Sequence, residues 1–283
     1  MTLPMFNPSE DPGPSFTGLL SKLALDPSYR VDAELRRSLV EAGSSSLEIT
    51  HGTTVVACRF ADGVVIAGDR RATAGNLISH RTMQKVFPAD RWSGVAIAGA
   101  AGPAIEMVKL FQLQLEHYEK VEGHSLSLEG KANQLSQMVR SHLPAAMQGM
   151  VVVPIFAGFD RLRERGRLFA YDVTGGRYEE EDYVASGSGS LHARTVIKLG
   201  RAGDLSRDVT VDLLIRSLFV AADDDSATGG PDSMRGIYPI VATITADGYA
   251  EVPEPEVAER FAAIVNEYTD GDTPDVTTGG GSV

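Results

Sequence analysis

Thr53, Asp69 and Lys85 could do chemistry together if folding gathered them. A threonine hydroxyl is a weak nucleophile until a base takes its proton. A free α-amine titrates near ~7.7 to 8, so an appreciable fraction is neutral at cytoplasmic pH and can serve as that base. Thr53 carries such an amine only if the Gly52–Thr53 bond is cut. Gly52 suits that junction, because a residue without Cβ permits the strained turn that brings its carbonyl onto the Thr53 hydroxyl. A neighbouring lysine would lower the amine's pKa and stabilise developing negative charge, and an aspartate would hold the lysine in place. The combination describes a zymogen that cuts itself and thereby creates its own general base.

Strand periodicity says where these residues go. Thr53–Phe60 and Val64–Asp69 are β-branched, apolar runs separated by Ala61-Asp62-Gly63, a hairpin signal. A turn centred on Ala61-Asp62 pairs Phe60 with Gly63 and sets Thr53 opposite Arg70. A turn centred on Asp62-Gly63 sets Thr53 opposite Ala72. In either register the start of the first strand lies beside the end of the second, where Asp69 sits. Alternation puts Asp69 on the face of Val65 and Ala67, and Lys85 on the face of Met83 and Phe87. A carboxylate and an ammonium aligned with apolar faces are costly to bury unless paired, so the economical arrangement pairs them with each other.

The rest of the chain supplies the scaffold. Leu77–Phe87 and Ser93–Ala98 read as strands, followed by a helix over Pro103–Tyr118 with Ala104, Val108, Phe111 and Leu115 on one face. A second helix spans Leu126–Leu143, with Pro144 at its end. Val151–Gly158, Arg167–Val173 and Arg177–Tyr183 read as strands, and Leu191–Leu199 and Ser206–Ala222 as helices. Ile237–Thr245 and Tyr249–Val252 form a hairpin around Ala246-Asp247-Gly248, and Pro255–Tyr268 is a last helix with proline at its start. Hairpins dominate over βαβ units, which predicts two antiparallel sheets with helices on their outer faces. Met1 to Gly52 is different: rich in Pro and Ser, with one amphipathic stretch near Val31–Ala42, it has little to hold itself folded. The expected organisation is a leader over 1–52 and a folded body over 53–283, with a flexible Gly-rich tail from about 270.

Composition excludes several classes. The 283 residues are 43% hydrophobic and 23% charged, ordinary for a globular chain able to bury a sizeable core. A net charge of −12 argues against nucleic-acid binding. No apolar run approaches the ~18 residues of a membrane helix, and Met1–Asp11 has neither the basic nor the apolar region of a secretory signal. The single cysteine, Cys58, rules out an internal disulfide, fits a reducing cytoplasm and reads as a small buried hydrophobe. No histidine has metal-ligand spacing, and Gly187-Ser188-Gly189-Ser190 lacks the lysine of a phosphate loop. No metal or cofactor is expected.

Thr53-Thr54-Val55-Val56, Gly68-Asp69-Arg70-Arg71, Lys85-Val86-Phe87 and Ile97-Ala98-Gly99 resemble the signature blocks of proteasome β subunits, at that family's spacing from the threonine. Gly187-Ser188-Gly189-Ser190 and Asp225-Ser226-Ala227-Thr228-Gly229-Gly230 are similar to its two remaining blocks. His51-Gly52, the long leader and the acidic run from Asp223 to Asp232 resemble the actinobacterial form. The resemblance implies a four-layer αββα sandwich of the N-terminal-nucleophile hydrolase type and a threonine endopeptidase. It implies that Thr53 is nucleophile and base, that Asp69 and Lys85 are supporting charges, and that the Gly99 N–H is the oxyanion donor. Ser188, Asp225 and Thr228 would orient the amine and the water, and Ala72, Met83, Ile97 and Ala101 would line the pocket for an apolar substrate side chain. It further implies heptameric rings in a twenty-eight-subunit core with proteasome α subunits, an ATPase ring that feeds in unfolded proteins, and a leader that assists assembly and blocks the site until rings join. This chain departs from the family's usual pattern in having Asp224 where arginine is common and Thr228 where serine is.

Overall fold

Two hairpins with the same turn residues organise the first sheet of the computed structural model, which describes residues 53–271. Gly52, the rest of the leader with the helix expected near Val31–Ala42, and the tail beyond 271 lie outside the described residues. β1 (Thr54–Phe60) turns through Ala61 and Asp62 into β2 (Gly63–Gly68), with Phe60 opposite Gly63 and Val55 opposite Gly68. This is the first of the two registers, and its continuation sets Thr53 beside Arg70. β11 (Ile240–Thr245) turns in the same way through Ala246 and Asp247 into β12 (Gly248–Glu251). Gly63 is demanded by close approach, since a Cβ there would lie 2.2 Å from the Ile244 carbonyl oxygen of β11. With β10 (Tyr183–Gly187) on the other edge of β1, the order is β10-β1-β2-β11-β12, antiparallel throughout.

The second sheet is a meander of β5 (Val86–Asp90), β6 (Ser93–Gly99), β7 (Val152–Asp160), β8 (Arg165–Tyr171) and β9 (Arg177–Glu180), in that order. A small pair, β3 (Ala72–Ala74) and β4 (Leu77–His80), stands apart from both. The helices are α1 (Ala101–Glu122), α2 (Leu128–Ser141), the short α3 (Leu143–Ala146), α4 (Ser190–Gly200), α5 (Arg207–Asp224) and α6 (Glu254–Gly271). Serines start two of them: Ser127 Oγ accepts from Gly130 N–H and Ser206 Oγ from Val209 N–H.

Alternation divides the strand side chains among three cores. Val55, Ala57, Val64 and Ile66 meet Ala96, Ile155 and Leu168 between the sheets. Val56, Cys58, Val65 and Ala67 point the other way, onto Ile197 of α4, Leu214 and Leu218 of α5, and Phe261 of α6. Ile97, Phe156 and Phe169 leave the second sheet to pack on Val108 and Phe111 of α1 and Leu135 of α2. Each fully buried Val, Leu, Ile or Phe among these contributes roughly 1.5–3 kcal/mol of burial free energy. The result is the four-layer sandwich, helices outside two stacked sheets. Among the described residues no helix is long and apolar enough to cross a membrane.

Four sequence expectations need correction. Leu77–Phe87 is not one strand: β4 ends at His80 and β5 begins at Val86 in another sheet, and Leu77 and Ile78, which carried the apolar pattern, are exposed. Arg177–Tyr183 contains the crossing between sheets, because the polar corner at Glu181 and Asp182 separates β9 from β10. Pro144 does not end the second helix, which stops at Ser141; it lies in the first turn of α3, where a missing N–H does no harm. The strand expected from Ile237 begins at Ile240, since Ile237 makes an isolated bridge to Asp232 instead.

Cys58 sits on β1 with no solvent exposure, and burial pushes its thiol up to about 11. Thiol reagents at pH 8 are therefore expected to leave the native protein unlabelled and to label one site after denaturation; rapid native labelling, read by mass spectrometry, would contradict this packing.

Candidate active site

The chemistry sits where β1 begins, β2 ends and the run before β5 comes in. Asp69 is the first residue past β2, and Lys85 the last before β5. Lys85 Nζ donates to Asp69 Oδ1 at 2.6 Å, and the two side chains are 2% and 0% exposed. The pair forms as expected, but not for the reason periodicity gave. Val65 and Ala67 face the α4–α6 layer, whereas Met83 and Phe87 pack with the core under α1 and α2. Those are outer faces of different sheets. The two charges meet because both lie off their strand ends, where the backbone leaves the pleat and a side chain is released from strict alternation.

Asp69 is held from several directions. Thr54 N–H and Lys85 Nζ donate to Oδ1, at 2.9 and 2.6 Å; Arg71 N–H and Gly229 N–H donate to Oδ2, at 2.9 and 2.8 Å. These four donors replace the solvent shell that a buried carboxyl group has lost. Lys85 also donates to the Arg71 carbonyl. Burial pulls the Lys85 ammonium below its ordinary value, with the charge of Asp69 pulling the other way.

Thr53 is 3% exposed and its hydroxyl donates to Asp69 Oδ1 at 3.3 Å, the same oxygen that holds the lysine. Its N–H donates to Ser188 Oγ at 3.2 Å, and its carbonyl accepts from Ser188 N–H at 2.8 Å. Ser188 follows β10 directly, and β10 pairs with β1 as Thr54 opposite Gly187, which delivers the serine to the threonine. Ser188 Oγ donates to Asp225 Oδ2 at 2.6 Å, and Thr228 Oγ1 donates to the same oxygen at 2.5 Å. Asp225 is the residue that closes α5.

One narrow cleft is lined by Thr53, Lys85 and Gly99 together with Ala72, Met83, Ile97 and Ala101. The structure thus brings every candidate residue among those described to one place; Gly52 lies outside the described residues. Two glycines are required by geometry. Gly99 has φ +109° and a Cβ there would lie 2.1 Å from the Val151 carbonyl oxygen. Gly187 has φ +100°, and a Cβ would lie 2.0 Å from the Thr53 carbonyl oxygen. Gly187→Ala is accordingly expected to lower stability by ~2–3 kcal/mol and to displace Thr53; unchanged denaturation midpoint and activity would refute that.

Sequence reasoning missed Arg71, Thr54 and Gly229. Arg71 serves through its backbone at Asp69 and Lys85, and its guanidinium donates to the Ser226 carbonyl at 2.9 Å, tying down the loop after α5. Backbone donors leave no signature in residue type, so only the fold shows them. Asp224, the departure noted above, turns away to His192 of α4, with Nδ1 and Oδ2 3.2 Å apart.

A family model described as proteasome subunit matches residues 49–235. The chain is 55% identical over 261 residues to a proteasome subunit beta of Acidimicrobium ferrooxidans, covering 92% of each chain. It is 57% identical over 229 residues to a proteasome subunit beta of Streptomyces griseus, covering 80% of this chain and 82% of the relative.

Proposed function

The chain belongs to the proteasome subunit family, and from that premise and the geometry at Thr53 we propose that it is a catalytic β subunit whose protease activity is of the threonine type. The observation that carries this is the convergence of Thr53 Oγ1 and Lys85 Nζ on one oxygen of Asp69, with the Thr53 nitrogen on Ser188.

Residues 1–52 are a leader and 53–283 the catalytic body. Thr53 Oγ1 adds to the Gly52 carbonyl carbon, the acyl group passes from nitrogen to oxygen, and water hydrolyses the ester. The leader leaves with a carboxylate on Gly52, and Thr53 gains its amine. In turnover that amine takes the hydroxyl proton as Oγ1 attacks a peptide carbonyl. The oxyanion is met by the Gly99 N–H, and such a donor typically contributes on the order of 3 kcal/mol. The leaving amine departs with the proton and an ester remains on Thr53. Water, deprotonated by the Thr53 amine, then releases the acid. Ser188, Asp225 and Thr228 orient the amine and that water. The apolar wall of Ala72, Met83, Ile97 and Ala101 receives a hydrophobic side chain, with small differences in size worth only ~1–3 kcal/mol.

The chain works among α-type subunits and copies of itself, in heptameric rings of the cytoplasm supplied by an ATPase ring with unfolded protein. N-terminal sequencing of the particle assembled with α subunits, joined to an assay with fluorogenic peptides, tests the whole reading. Threonine from position 53 as first residue, with cleavage after apolar side chains, is expected. An assembled particle retaining Met1 and cleaving nothing would make the chain a scaffold and overturn it.

A further inference from the structure

The hydroxyls behind the cleft form a chain whose direction follows from counting protons. Asp225 Oδ2 accepts from both Ser188 and Thr228, and each hydroxyl has one proton to give. Thr228 gives its proton to Asp225 Oδ2, at 2.5 Å. The 2.5 Å contact between Thr228 Oγ1 and Thr54 Oγ1 is therefore donated by Thr54. Thr54 Oγ1 in turn accepts from the Gly189 N–H at 3.0 Å. Ser188 gives its proton to Asp225 at 2.6 Å in preference to the Thr53 carbonyl at 3.3 Å. It has only lone pairs left for the Thr53 nitrogen, 3.2 Å away. Thr54 and Thr228 are wholly buried, so no water substitutes for either. The backbone packs directly on them: a Cβ at Gly189 would lie 2.5 Å from Thr54 Oγ1 and 2.6 Å from Thr228 Oγ1.

We propose that Thr54 is a positioning residue for the reaction. Its hydroxyl joins the turn carrying Ser188 to the loop carrying Asp225 and Thr228, and so holds Ser188 as a pure acceptor toward the Thr53 nitrogen. An amine that gives one hydrogen to Ser188 is held with its lone pair available for the Thr53 hydroxyl proton. Thr54 touches neither substrate nor the reacting atoms; it acts through Gly189 and Thr228. The inference rests on Thr53 being the nucleophile.

The test compares Thr54→Val, Thr54→Ser and Thr53→Ala, each in the full chain assembled with α subunits. Valine keeps the shape and removes both hydrogen bonds; serine keeps both. Thr54→Val is expected to lower kcat about tenfold with KM within about twofold, while Thr54→Ser stays within about threefold of the parent in kcat. Parental kcat in Thr54→Val, a loss confined to KM, or a serine variant as impaired as valine would each overturn the proposal. Should Thr54→Val fail to assemble, Thr54→Cys, a weak donor of similar size, carries the same comparison. An active Thr53→Ala would sink the nucleophile assignment itself, whereas an inactive Thr53→Ala beside a fully active Thr54→Val would sink the role of Thr54 alone.

Discussion

Thr53→Ala should abolish peptide hydrolysis, by on the order of 10⁵- to 10⁶-fold in kcat, and leave the leader attached, while the fold and ring assembly persist. The scale is that of removing an activated nucleophile outright, with only binding and oxyanion contacts left. The fold tolerates it because, among the described residues, the hydroxyl's one hydrogen bond is a long one, 3.3 Å to an Asp69 that already accepts three backbone N–H groups and an ammonium. Loss of that contact costs less than about 1 kcal/mol. The Thr53 backbone is untouched, so its bonds to Ser188 remain. Intact mass of the purified particle reports the leader, and a fluorogenic peptide reports turnover. Ordinary turnover by this variant would end the mechanism.

Breaking the buried pair should separate catalysis from stability. Lys85→Met preserves most of the side-chain volume and leaves Asp69 with the Thr54, Arg71 and Gly229 N–H donors. Its expected stability loss is about 1–3 kcal/mol, while activity falls by ~10²- to 10³-fold or more, the scale of losing one preorganised charge. Asp69→Ala removes the acceptor for all three N–H groups and strands a 2%-exposed lysine on the Arg71 carbonyl. Breaking a buried pair in this direction costs about 3–5 kcal/mol. Both variants should be strongly impaired in turnover, but Asp69→Ala should have clearly the lower denaturation midpoint. If instead Lys85→Met proves the more destabilised, Asp69 is not the hub that its hydrogen bonds describe.

The sequence by itself determined the local half of this protein. The alternation in Thr53–Phe60 and Val64–Asp69 and the Ala-Asp-Gly turn gave the first hairpin and narrowed its register to two, because pleat and turn geometry depend on neighbours a few residues apart. The buried face of α1, with Ala104, Val108, Phe111 and Leu115, was legible for the same reason. Leu77–Phe87 and Arg177–Tyr183 were misread because alternation says nothing of which sheet a strand joins, and the breaks fall at exposed polar corners that resemble strand continuations. The register itself was decided only when β11 packed its Ile244 carbonyl against Gly63. Asp69 and Lys85 could be paired from their burial cost, yet their meeting place belongs to neither predicted face. Ser188, Asp225 and Thr228 came from family resemblance and from no feature of their own. Ser188 and Thr228 reach Thr53 and Thr54 across 135 and 174 residues and both bond Asp225, through β10 joining the edge of β1 and α5 ending over it. Contacts of that span are set by how layers stack, and the carriers at Asp69 are backbone N–H groups that every residue but proline owns. Residue type can announce a nucleophile and its charges; only the packed sheets can aim the N–H groups and hydroxyls that make them work together.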